Sequence, residues 1–88
     1  MALPGDGIGQ EIIDSAIDVL KKVADTYGHT FTFEKHDIGG TSYDKHGTPL
    51  RDETIDACLQ SDAILLGAIG GEKWDDLPVE LRPEAGLL

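Results

Sequence analysis

Seven consecutive residues, Ala63-Ile64-Leu65-Leu66-Gly67-Ala68-Ile69, carry no polar side chain and are bounded by Asp62 and by Gly70-Gly71. An apolar run of this length between turn signals has the pattern of a strand covered on both faces of a parallel sheet. Parallel strands need crossover segments, and the chain supplies them. From Gln10 to Tyr27, Ile12, Ile13, Ala16, Ile17, Leu20, Val23, Ala24 and Tyr27 recur at helical spacing, with Asp14, Asp18, Lys21, Lys22 and Asp25 on the other side. Gly28 stands where a left-handed C-cap residue is needed. Thr30 to Lys35 alternates with period two and places Phe31 and Phe33 on one face of a second strand. Thr41 to Arg51 reads as a loop with one helical turn at Ser42 to Lys45. A further helix is predicted to start after Asp52, as N-cap, and to run to Gln60, burying Ile55, Cys58 and Leu59. The opening Met1-Ala2-Leu3 is too short for a central strand of the usual five or six residues, and Gly70 to Gly86 reads as one long loop. The order strand, helix, strand, helix, strand predicts an α/β layer with right-handed crossovers.

The 88 residues suffice for one small domain. The abrupt start and the apolar ending Ala85-Gly86-Leu87-Leu88 read as truncations of something larger. Seventeen acidic against seven basic side chains give a formal charge of −10. Such a charge repels polyanions, so nucleic acid is not expected as a partner. The opening has no basic and apolar leader pattern, and the longest apolar run is far below the ~20 residues of a membrane helix, so no membrane association is expected. Cys58, the single cysteine, has no internal disulfide partner and reads as a small hydrophobe in a reducing cytoplasm.

In an open parallel sheet, ligands sit at the loops leaving the carboxyl ends of strands. Two loops qualify, the glycine turn in Leu3-Pro4-Gly5-Asp6-Gly7-Ile8-Gly9-Gln10-Glu11 and the segment after Ile69. The turn is not a dinucleotide fingerprint, because the sixth position counted from Gly5 is Gln10 rather than glycine. Nor is it a Walker A loop, since Gly9-Gln10-Glu11 lacks the lysine and the hydroxyl. Two readings stay open: glycines that serve backbone geometry alone, or a helix N-terminus whose free N–H groups face an anion or a cofactor amide. His29, His36 and His46 have no metal-ligand spacing and read as surface residues. Asp75-Asp76 reads as a solvated pair rather than a metal site. Trp74, between Lys73 and Asp75, needs a surface to lie against, which is expected in a part of the molecule beyond this chain.

The stretches LPGDGIGQEI, DIGGTSYDKHGTPL and SDAILLGAIGGEKWDDLPVELRPEAGLL resemble, over nearly the whole chain, the start of the β-decarboxylating dehydrogenases. This family includes isopropylmalate, isocitrate, homoisocitrate and tartrate dehydrogenases. GGEKWD and RPEAGLL are similar to the isopropylmalate branch. The sequence departs from the pattern at Gln10 and Glu72, where the family has proline. The resemblance implies a non-Rossmann α/β fold with helices packed on a largely parallel sheet. Residues 1–88 would then be the N-terminal part of the first of two domains.

The implied reaction is NAD-dependent oxidative decarboxylation of (2R,3S)-3-isopropylmalate to 4-methyl-2-oxopentanoate and CO2 in leucine biosynthesis, assisted by Mg2+ or Mn2+. By the same resemblance, Ile8, Gly71, Glu72, Lys73, Trp74, Asp75, Pro78, Pro83 and Glu84 contact the cofactor, with Glu84 near the nicotinamide ribose. Leu87 and Leu88 receive the isopropyl group of the substrate. The carboxylate-binding arginines, the catalytic tyrosine and lysine, the metal-binding aspartates and the surfaces of an expected homodimer belong to segments beyond Leu88. The isolated chain is expected to be inactive. A sister dehydrogenase, or a noncatalytic stand-alone α/β module, remains an alternative from the residues themselves.

Overall fold

The sheet forms around the shortest segment in the chain. In the computed structural model, which describes residues 1–86, strand β1 (Ala2–Gly5) is buried at every position and pairs in parallel with β2 (Leu65–Ala68). Its register is Ala2 to Leu65 and Gly5 to Ala68. On its other edge Ala2 forms a parallel bridge to Lys35, with Ala2 N–H donating to Glu34 O and His36 N–H to Ala2 O. A four-residue strand therefore takes the central place that its length argued against.

The strand predicted over Thr30 to Lys35 shrinks to one bridge, at Lys35. Two residues beyond the bridge, the facing residue is Pro4, which has no N–H to donate. Strand β2 starts at Leu65 rather than Ala63, whose carbonyl accepts a bond from the Met1 ammonium.

Helix α1 (Gly9–Tyr27) covers one face of the sheet, and Gly28 closes it in the left-handed conformation (φ 75°), donating its N–H to Ala24 O. Ile13 and Ile17 pack with Ala2 in the core, flanked by Phe33 and Leu65. Burying each isoleucine contributes about 1.5–3 kcal/mol. The predicted apolar face is wider than the buried one, because Ile12, Val23 and Tyr27 remain exposed. A nineteen-residue helix is about 28 Å long and a four-residue strand about 13 Å, so much of α1 extends past the strands.

Helix α2 (Gly40–His46) is longer than the single turn expected, and α3 (Asp52–Gln60) begins one residue before the predicted start, with Arg51 rather than Asp52 as its cap. The opposite sheet face differs from expectation. Leu3 and Leu66 point there, and with Ile38, Leu50, Ile55, Cys58, Leu59 and Ile64 they line an apolar groove of about 250 Å3. Leu59 is 80% exposed and Ile64 54%. The apolar run is thus covered on one face, and Ile55, Cys58 and Leu59 are not buried as predicted. They form an apolar face that the described residues do not cover. The long segment after β2 carries three short 3-10 turns at Glu72–Trp74, Val79–Leu81 and Pro83–Gly86.

Gly67 permits α1, β1 and β2 to meet. A Cβ added there would run into Pro4 O and approach Gly9 O and Ile13 Cγ1 to 3.0 Å each. The Gly67→Ala variant is expected to lose about 1–3 kcal/mol in urea unfolding, as overpacked sites do. Gly28→Ala, which meets nothing within 4 Å but has a left-handed φ, should lose less. Equal losses would show that backbone conformation, not close approach, sets the cost.

Candidate functional site

The polypeptide turns sharply where it leaves β1 because Gly5 (φ 79°) and Gly7 (φ 53°) adopt left-handed conformations. This turn directs the side chain of Asp6 inward, where it is 2% exposed. Its carboxylate meets only donors. The N–H groups of Gly40 and Gly70 donate to Oδ2 at 2.8 and 2.9 Å, and Thr41 N–H donates to Oδ1 at 2.7 Å. Thr41 Oγ1 lies 2.9 Å from Oδ1 and 3.1 Å from Gly5 O, so its single proton serves one or the other.

Asp6 thereby caps the N-terminus of α2 from a distant part of the chain and fixes the exit of β2. Gly39 has to be glycine in this arrangement. Its φ is 77°, and a Cβ would lie 2.6 Å from Asp6 Oδ2 and 2.7 Å from Ile69 Cγ2. Sequence reasoning missed Asp6, Gly39, Gly40 and Thr41. The available signal was a carboxylate between two glycines at the carboxyl end of a strand, a place where backbone donors gather.

The second part of the site is the surface under Trp74. The indole lies on Gly40, where an added Cβ would strike the ring, and its Nε1–H donates to Asp44 Oδ1 at 3.2 Å. Lys73 Nζ donates to Asp44 Oδ2 at 2.6 Å and stands 5.4 Å from the ring centroid. The surface that Trp74 needs is therefore α2 of the same chain, contrary to the sequence expectation. The Lys73 hydrogen bond, followed by that from Trp74, holds the Asp44 carboxyl below its ordinary value of 3.8.

Of the residues singled out from the sequence, Ile8 is 65% exposed at the start of α1. Gly71, Glu72, Lys73, Asp75, Pro78 and Glu84 are also exposed, while Trp74 is half-buried and Pro83 buried. The Gly70 bond to Asp6 brings the start of the 71–75 loop beside the turn that carries Ile8. Pro83 and Glu84 lie on the last of the 3-10 turns, which packs against Val79–Leu81, the turn that follows Pro78. Leu87 and Leu88 lie outside the described residues. His36 is not the surface residue expected. Its side chain is 17% exposed, with Nδ1 3.1 Å from the buried Thr54 Oγ1 and Nε2 3.0 Å from Glu34 Oε1. His46 lies 3.3 Å from Asp37, and His29 is exposed. Among the described residues, no three His, Cys, Asp or Glu side chains gather to hold a metal. None of the described helices is long and apolar enough to cross a membrane.

Loops gathered at the carboxyl ends of parallel strands define an α/β ligand-binding face. Comparison with known proteins narrows this class. The family model described as isocitrate/isopropylmalate dehydrogenase matches residues 1–88, and the chain belongs to that family. It is 65% identical over 86 residues to 3-isopropylmalate dehydrogenase of Oceanobacillus iheyensis and 60% identical to that of Bacillus subtilis. Each alignment covers 98% of this chain and 24% of the relative, so the chain spans about a quarter of their length. A crystal structure of a β-decarboxylating dehydrogenase from Thermococcus kodakarensis superposes with a TM-score of 0.71 at 38% identity, over 98% of this chain and 26% of that one. The mixed helix and parallel-sheet architecture is that of this family.

Asp6→Asn tests the anchor. Each carboxylate oxygen faces at least one backbone N–H, so an amide must turn its NH2 group toward a donor. The cost in urea unfolding is expected to reach at least about 2 kcal/mol, as for a buried group left unsatisfied. A loss indistinguishable from zero would show that the cluster does not hold the loops. The Asp44 clasp should respond to acid. Because its pKa is lowered in the folded state, its stabilisation is present above the ordinary value of 3.8 and fades as pH falls through the lower folded value. The Trp74 indole N–H resonance, assigned by its loss in Trp74→Phe, should stay constant between about pH 5 and 8 and shift only below about pH 4. A shift near neutrality would show that another group controls the contact.

Proposed function

We propose that this chain is the N-terminal part of the first domain of an NAD-dependent 3-isopropylmalate dehydrogenase. The reaction would convert (2R,3S)-3-isopropylmalate to 4-methyl-2-oxopentanoate and CO2 in leucine biosynthesis. The observation that carries this reading is the 65% identity to an enzyme of that name across 98% of the chain, including the loop that begins at Gly71.

The turn after β1 and the loop after β2 suit a dinucleotide. Gly7 and Gly70 have open space where a Cβ would stand, so a flat ring can approach the backbone closely. Ile8 offers an exposed apolar contact beside them. In this reading Ile8, Gly71 to Asp75, Pro78, Pro83 and Glu84 form the nicotinamide side of the cleft. NAD, when bound, supplies the acceptor for the hydride leaving the hydroxyl-bearing carbon. The chain's own residues bind and orient: Ile8 and the loop set the ring, Glu84 approaches the ribose, and Leu87 and Leu88 enclose the isopropyl group. Among the described residues no set gathers for Mg2+ or Mn2+, and the metal ligands in this reading come from segments outside this chain. Dimerisation is proposed through segments outside this chain. A cytoplasmic setting accords with the single, unpaired Cys58.

Turnover of the full-length protein with NAD on isopropylmalate, isocitrate and tartrate tests the assignment. Isopropylmalate should give the highest kcat/KM. A higher value for another acid would move the protein to a sister activity, and no turnover on any would favour a noncatalytic module. Replacing Leu87 and Leu88 by serine should narrow the preference for isopropylmalate over malate by about 10- to 200-fold per lost apolar contact. Equal losses on both substrates would show that these leucines do not read the side chain.

A further inference from the structure

The loop given to the cofactor has few ties to the body of the protein. Among the described residues, the two bonds to Asp44 are the only hydrogen bonds that join residues 71–86 to earlier parts of the chain. The remaining bonds are local, such as Trp74 N–H to Gly71 O and Leu77 N–H to Trp74 O. Gly70, just before the loop, is fixed on Asp6.

Asp44 itself stands on a firm base. Asp6 holds the N-terminus of α2, Gly39 N–H donates to Pro49 O at 2.8 Å, and Ser42 Oγ–H donates to Thr48 O at 2.7 Å. An isolated exposed ion pair is worth little. Here the carboxylate also takes the indole N–H, and the ring it orients lies against Gly40 with the Lys73 ammonium 5.4 Å from its centroid. Four groups therefore fix one another, and their geometry constrains the loop more than the pair alone would.

We propose that Asp44 is a positioning residue for the dinucleotide: from α2 it clasps Lys73 and Trp74 and holds the Gly71–Asp75 loop in its binding-ready form. Asp44 need not touch the ligand. This inference rests on the reading of the loop as a cofactor contact. Releasing the clasp lets the loop leave the docked state, and apparent affinity falls by the fraction of time the loop is docked.

The test uses the full-length protein with Asp44→Ala and Asp44→Asn, the latter retaining one acceptor oxygen. Amide hydrogen exchange is followed without ligand, and NAD affinity is measured by calorimetry without substrate. In Asp44→Ala, exchange should rise in residues 71–77 and not in Gly70, β1 or α1, and the Kd for NAD should weaken about tenfold if docking falls to about a tenth. Asp44→Asn should lie between. Faster exchange with unchanged NAD affinity would overturn the positioning role, as would exchange that does not change. If the unaltered protein fails to bind NAD, the reading of the loop falls as well. If it binds NAD and the variants bind equally, only the role of Asp44 falls.

Discussion

The buried carboxylate of Asp6 is the interaction on which the rest of the site depends. Removing a carboxylate from water is costly unless donors replace the lost solvent. Here three backbone N–H groups and a hydroxyl surround it, and they come from two distant segments. One side chain thus fixes the turn after β1, the start of α2 and the exit of β2 relative to one another. The surrounding glycines follow from this demand. Gly5 must turn beside Ala68 O, and Gly39 must pass where any Cβ would meet the carboxylate. Each of them serves a charge that needs backbone close to it.

The two faces of the sheet have unequal standing. Ala2 and Leu65 face α1 and belong to the core, whereas Leu3 and Leu66, the next residues along each strand, face the apolar groove with α3. Period-two alternation sends neighbouring aliphatic residues to opposite sides. Only one side has a helix laid closely on it. The groove side keeps Ile55, Leu59, Ile64 and Leu66 in contact with water, at about 25 cal/mol for each Å2 of apolar surface left uncovered.

Local signals were legible in the sequence and long-range ones were not. Helix α1 and its Gly28 cap follow from spacing and one glycine, and α3 starts within one residue of the predicted place, because each is determined within a few turns of chain. Strand extent failed. Pairing over Thr30 to Lys35 depends on which residue faces Ala2, and that register is invisible in the segment itself. Burial of Ile55 and Leu59 failed for a related reason, since an amphipathic pattern states which side seeks cover and says nothing of whether cover is present. Trp74 was recognised as needing a surface, but its partner Asp44 lies thirty residues earlier in the sequence.

The failed nucleotide motifs acquire a physical meaning from the same geometry. In a dinucleotide fingerprint, glycines let the backbone approach a pyrophosphate and let helix and strand pack closely. Close packing is achieved here by Gly9, whose Cβ would strike Pro4 O, together with Gly67 from another element. The backbone donors that could form an anion-binding concavity, those of Gly40, Thr41 and Gly70, are already filled by the protein's own carboxylate. A phosphate at that position would meet a resident negative charge and no free donor. The glycine-rich turn is therefore an anchor for the surrounding loops rather than a cradle for phosphate.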